Sequence, residues 1–230
     1  AYPLTVEYGR SDYNINENWV SVSHVNVGVF SSVFGDIEMV VDEHELQDLT
    51  WNGSTSTSWV TATNWTPQGA PSDETVVTIP DAATTTFDPS IPETAICGKV
   101  VIESGGILNS LDNGQLTVKG AKGAWVNNGT FAPGTGTVIF ANGNESDTVT
   151  ISGTNSFYNL TITDKTRFLP DTNSVTNIEG AFTANTSNCI VDFSTNPNIV
   201  TYNGNKEQSV INPVGIYGYD NLNFTGDGTK

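Results

Sequence analysis

Val138-Ile139-Phe140-Ala141-Asn142-Gly143-Asn144, followed by Phe157-Tyr158-Asn159-Leu160-Thr161-Ile162, returns as Val200-Thr201-Tyr202-Asn203-Gly204-Asn205, followed by Tyr219-Asp220-Asn221-Leu222-Asn223-Phe224. The Asn-Gly-Asn blocks lie 61 residues apart (142 to 203) and the aromatic-x-Asn-Leu blocks 62 (157 to 219). Upstream, Val118-Lys119-Gly120 matches Ile178-Glu179-Gly180 at 60. A period near 60 is too long for one solenoid coil and fits about three coils of roughly 20 residues.

Other short β-rich runs share this texture: Val76-Val77-Thr78-Ile79, Lys99-Val100-Val101-Ile102, Gln115-Leu116-Thr117-Val118 and Thr148-Val149-Thr150-Ile151. Gly or Asn pairs such as Gly105-Gly106, Asn113-Gly114 and Asn128-Gly129 separate many of them. Asn-Gly is also a hairpin signal, so an antiparallel β-sandwich is the alternative. The even repeat favours a right-handed parallel β-solenoid over residues 51–230, its apolar strands turned inward and its Thr and Asn facing water.

Composition agrees with an all-β chain. Of 230 residues, 31 are Thr, 25 Asn, 19 Ser and 22 Gly, all poor in helix interiors. Eight basic against 25 acidic residues leave a net charge of −17, which repels phosphate backbones and anionic lipid. Nucleic acid is therefore not expected as a partner. Residues 1–98 hold 14 of the acids and a single base, Arg10. With no run of 18 apolar residues, no membrane insertion is expected, and the start at Ala1-Tyr2-Pro3 reads as a mature or trimmed chain. Seven N-x-S/T sequons, at Asn52, Asn64, Asn128, Asn144, Asn159, Asn185 and Asn223, are what this composition yields by chance.

Residues 1–50 form an acidic β-rich segment or cap. Trp19-Val20-Ser21-Val22-Ser23 alternates with period two, and Val25-Asn26-Val27-Gly28-Val29 resumes it out of step, a bulge near His24. Asp36, Glu38, Asp42, Glu43, Glu45 and Asp48 then surround Ile37, Met39, Val40 and Val41, a strand leaving an acidic loop.

The segment Trp51-Asn52-Gly53, Ser58-Trp59, Asn64-Trp65-Thr66-Pro67, Ala70-Pro71, Asp73, Val76-Val77-Thr78-Ile79-Pro80 resembles the opening of parallel β-helix regions in large secreted surface proteins of gliding and gut bacteria. Asn127-Asn128-Gly129-Thr130-Phe131 and Gly136-Thr137-Val138-Ile139-Phe140 look like their coil repeats, and the likeness covers about residues 50–226. Such proteins are often adhesin-like and use type IX secretion. The resemblance implies a secreted or cell-surface location and a structural or adhesive role, and it carries over no catalytic residue.

Candidate chemistry is sparse. Trp51, Trp59 and Trp65 form either a sugar-stacking platform or a plug for the first coil, which Pro67, Pro71 and Pro80 favour by removing donors at an unpaired edge. The six carboxylates at 36–48 are candidate Ca²⁺ ligands, but they lack the glycine and spacing of known loops, which favours a solvated acidic surface. No other cofactor is expected. His24 and His44, the two histidines, lack metal-site spacing. Cys97 and Cys189, 92 residues apart, are expected to be free, buried thiols about 20 Å apart.

No nucleophile-base pair or phosphate loop appears, and Glu145 with Asp147 is the one close carboxylate pair after residue 98. Lys165 and Arg167 read as a surface loop. Thr148/Thr150 and Thr161/Thr163 would mark an ice-binding face if coils kept them aligned, but the repeat turns Thr161 into Asn223, so they read as ordinary strand threonines.

The expectation is a non-catalytic structural or adhesive module, a fragment or stacking subunit of a larger extracellular assembly. Its partners would be surface glycans or other protein subunits, with end-to-end self-association through an open coil edge. The alternative is a carbohydrate-binding module related to polysaccharide-active β-helix proteins.

Overall fold

A computed structural model of the chain describes residues 4–6, 37–39, 47–144, 146–185, 188–212 and 218–230. Two compact units are present, Ala1–Glu45 and Leu46–Lys230. In the first, strands β1 (Leu4–Val6) and β2 (Ile37–Met39) pair antiparallel, Leu4 opposite Met39 and Val6 opposite Ile37. The strands expected at 19–29, the bulge near His24 and, beyond the β2 backbone, the acidic stretch 36–45 lie outside the described residues.

The second unit is a β-solenoid of about six turns. It opens with β3 (Gln47–Trp51) and its antiparallel partner β4 (Trp65–Thr66). Three three-strand windings follow. The first has β5 (Thr75–Ile79), β6 (Ser90–Ile91) and β7 (Ala95–Cys97). The second has β8 (Lys99–Ile102), β9 (Ile107–Ser110) and β10 (Gln115–Val118). The third has β11 (Trp125–Asn127), β12 (Thr130–Ala132) and β13 (Thr137–Phe140).

In the fourth winding the long β14 (Thr148–Phe157) covers two faces before β15 (Asn159–Ile162). The fifth holds β16 (Arg167–Pro170), β17 (Val175–Ile178) and β18 (Phe182–Ala184). The sixth holds β19 (Ile190–Val191) and β20 (Ile199–Tyr202), with β21 (Asn221–Phe224) beyond them. Between strands named in this unit every described pairing is parallel except β3 with β4, which excludes the sandwich.

Period-two alternation puts every second residue inside. β5, β10, β13, β15, β16 and β17 all end in buried, half-buried, buried order, burying Ile79, Val118, Phe140, Ile162, Pro170 and Ile178. On the third face Ala95, Leu116, Val138, Leu160 and Phe182 stack in register, 21 or 22 residues apart. The winding is therefore about 22 residues long.

This length changes the meaning of the 60-residue repeat. The repeat carries β10, β13 and β15 of the third face onto β17, β20 and β21 of the second, three windings forward and one face back. It does not measure three whole coils. Thr161 accordingly stacks between Ile139 and Thr183, not on Asn223, in an outward column of Ile96, Thr117, Ile139, Thr161 and Thr183.

An aromatic spine fills the later windings. Trp125 meets Phe131, Phe140 and Phe157 at centroid distances of 5.0, 6.3 and 5.6 Å. Phe140 continues to Phe168, Phe168 to Phe193, and Phe193 stacks on Tyr219 at 5.1 Å. Each fully buried ring stabilises the fold by roughly 1.5–3 kcal/mol through lost apolar exposure. Inside β14 the chain turns a corner at Gly153, whose φ is +82°. A Cβ there would lie 1.8 Å from the Asn127 carbonyl oxygen of the winding before, so neighbouring corners touch backbone to backbone.

Candidate functional site

The tryptophans come first because the sequence offers them as a ligand platform. Trp51 ends β3 pointing inward, and the antiparallel pair places Trp65 opposite it. Trp65 makes edge-to-face contacts with Trp51 and Trp59, each at 5.0 Å and 82°. The Trp51 indole donates to the Phe87 carbonyl at 2.6 Å and the Trp65 indole to the Trp59 carbonyl at 2.8 Å. All three side chains are at most 1% exposed. No indole face is open to a pyranose ring, and the sugar-stacking assignment is corrected: these rings fill the opening turn from β3 to β4, ahead of the first winding.

What holds them is Asn64, which in the sequence stands only as a sequon and as part of the tryptophan motif. Asn64, fully buried, accepts from the Thr55 and Ser56 amides at 2.9 and 3.0 Å and donates to Ser56 Oγ and the Ser58 carbonyl at 3.1 and 2.9 Å. Its side chain thus clamps the loop that carries Trp59. The available signal was its place beside Trp65 in an otherwise Ser- and Thr-rich loop, where a side chain with both donors and acceptors can satisfy a turn.

Of the six candidate calcium ligands, Asp48 alone has a described side chain, and it is exposed on β3. Asp36, Glu38, Asp42, Glu43 and Glu45, like His24, His44 and Glu145, fall outside what is described of the side chains. Among the described residues no group of three or more His, Cys, Asp or Glu is placed to hold a metal ion.

Cys97 and Cys189 are free and buried, in the first and sixth windings. Burial pushes both thiols up from their usual value, for Cys189 against opposing backbone hydrogen bonds at Thr166 and Lys165, so neither is a ready thiolate. Arg167 begins β16 instead of lying in a loop, while Lys165 does sit in a turn, at φ +56°. Lys119 pairs with Asp164 at 3.1 Å with both groups partly exposed, an ion pair of small energetic weight.

Asp192 is enclosed in its own turn. Burial pushes its carboxyl up, but hydrogen bonds from the Thr195 hydroxyl, the Ser194 and Thr195 amides and the Ser194 hydroxyl outweigh it and hold the acid below its usual range. These groups close a turn and leave no carboxylate aimed at a cleft.

Two surfaces are distinctive. Strands β7, β10, β13, β15 and β18 of the third face contain no charged residue, although the chain has 33. The other is the edge of β21. Its inward positions continue the core columns Phe157–Ile178–Tyr202–Phe224 and Thr176–Val200–Leu222, yet Phe224 is 51% exposed and Leu222 half-buried. Just inside, Tyr219 donates to the Ile211 carbonyl at 2.8 Å, so the Tyr202 hydroxyl is the donor in their 3.0 Å contact. Burial raises both phenols.

These features define a β-solenoid with a tryptophan-packed opening turn, one face of uncharged strands and an apolar edge at β21. A family model described as a domain of unknown function, DUF8693, matches residues 50–132, from the tryptophan-packed turn through β12. No curated protein and no solved structure matches the chain.

Proposed function

We propose that the protein is a non-catalytic structural or adhesive module of an extracellular or cell-surface assembly, a rigid rod that holds a binding surface away from its anchor. The observation that carries this reading is the stacking itself. Each winding is pinned to the next by a parallel ladder and a shared apolar interior, so the unit is stiff along its axis. The resemblance of the Trp51–Pro80 segment to secreted β-helix surface proteins supports the location, and the strongly acidic balance supports protein or glycan partners over nucleic acid.

The uncharged third face is the surface such a module presents to glycans or other subunits. The test is the purified chain on arrays of extracellular glycans and matrix proteins, run beside incubations with pectin, alginate and chondroitin. Specific, saturable binding with the polymers left intact is the expected result. Release of unsaturated uronates or new reducing ends would establish an enzyme and end the proposal.

A further inference from the structure

Among the described residues a few buried side-chain polar atoms lack a protein partner, Trp59 Nε1 and Asn203 Oδ1 singly and three oxygens together in one place. Where the fifth winding meets the sixth, Ser174 and Thr176 are each 1% exposed and Asn198 is 3% exposed. Ser174 Oγ, Thr176 Oγ1 and Asn198 Oδ1 have no hydrogen-bond partner within the protein. A buried oxygen left without a partner is costly, so three in adjacent windings call for something that joins them.

Their placement is fixed independently. Val175 pairs with Ile199, so Ser174 and Asn198 are neighbours across the ladder, about 4.8 Å apart along the axis. The Ile199 amide donates to the Ser174 carbonyl at 3.0 Å and the Asn173 amide to the Pro197 carbonyl at 2.6 Å, tying the two windings together there. Ser174 and Thr176 flank the half-buried Val175, so both face inward, about 6–7 Å apart. That is too far for one hydroxyl to reach the other and matches the span of a single bridging molecule. The Asn198 amide orientation is also determined. Its Nδ2 donates to the carbonyls of Phe193 and Asn196 at 2.8 and 2.6 Å, leaving Oδ1 as the unpaired end.

We infer that Ser174, Thr176 and Asn198 form an internal water site between the fifth and sixth windings. The chemistry balances: the two hydroxyls donate to the water oxygen, and the water donates one hydrogen to Asn198 Oδ1. Three bonds are the usual complement of a buried water. A cation is the wrong occupant, because the three ligands are neutral and Asp192, the nearest buried acid in sequence, is occupied by Ser194 and Thr195. The bridged site fastens a polar stretch of β17 to the start of β20, where apolar packing alone would leave three oxygens stranded.

The sign of a substitution tests it. Thr176→Val keeps the shape and removes one hydroxyl. With the water in place this strips a partner from a bridging molecule, and the unfolding equilibrium constant in urea rises about 5- to 10-fold. Adding Ser174→Ala then changes it by less than the two single effects combined, because both act through one water. Without the water, Thr176→Val removes only a desolvated hydroxyl and the chain becomes more resistant to urea. A crystal structure of the parent chain gives the second readout, an ordered water within hydrogen-bond reach of all three oxygens. A more stable Thr176→Val chain, a site without that water, or a cation in its place overturns the inference.

Discussion

Asn64→Ala isolates what shapes the opening turn between β3 and β4. The substitution deletes two bonds accepted from the Thr55 and Ser56 amides and two donated to Ser56 Oγ and the Ser58 carbonyl. It spares the Asn64 backbone bonds to Thr61, Asn52 and Gly53. At about 0.5–1.5 kcal/mol net per bond, four bonds contribute about 2–6 kcal/mol. Thr55 lies at the surface and water replaces part of its loss, so the expected cost is about 2–4 kcal/mol. Because each winding contacts only its neighbours, the damage falls first on the loop carrying Trp59 and spreads weakly along the stack.

Urea unfolding followed by tryptophan fluorescence measures the total. Amide hydrogen exchange shows whether protection is lost around residues 47–66 before it is lost around β13 to β18. Asn64→Asp is the informative companion, since it keeps the acceptor and loses the donors at the cost of a buried charge. An Asn64→Ala chain within about 0.5 kcal/mol of the parent, with unchanged exchange at Thr55 and Ser56, would refute the idea that this side chain organises the opening turn.

Three further outcomes concern two glycines and the pair of Tyr202 with Tyr219. Gly153→Ala must relieve a 1.8 Å approach to the Asn127 carbonyl at a φ of +82°, and is expected to cost at least about 3 kcal/mol of unfolding free energy measured in urea. Gly123→Ala, at φ +68° with open space around it, should cost only about 1 kcal/mol. The phenols of Tyr202 and Tyr219 are held above their usual value, so the folded state keeps their protons more tightly than the unfolded chain does. Their contribution is therefore complete below about pH 10 and is lost as pH climbs above it, a decline that urea midpoints across the alkaline range should show and that Tyr219→Phe should flatten.

Much of the solenoid is legible in the residues. Runs such as Val76–Ile79 and Gln115–Val118 announce strands because alternation and β-branching are local properties, and the free state expected for Cys97 and Cys189 follows from their separation along the stack. The winding length was obscured by a local resemblance. Phe140 and Tyr202 are both inward aromatics closing a strand before an Asn-Gly corner, so their segments look alike although they lie on different faces. Sequence similarity reports environment, and register depends on which strand lies alongside.

By itself, then, the chain determined its all-β character, its parallel windings and its overwhelmingly acidic charge, because composition and period-two patterning constrain each residue near its own position. Only the tertiary structure decided that Trp51, Trp59 and Trp65 are sealed, that Thr161 lies beside Thr183, and that Ser174, Thr176 and Asn198 share an interior. Exposure and neighbourhood across windings arise from residues some 22 positions away in the ladder. No local rule of propensity carries that distance.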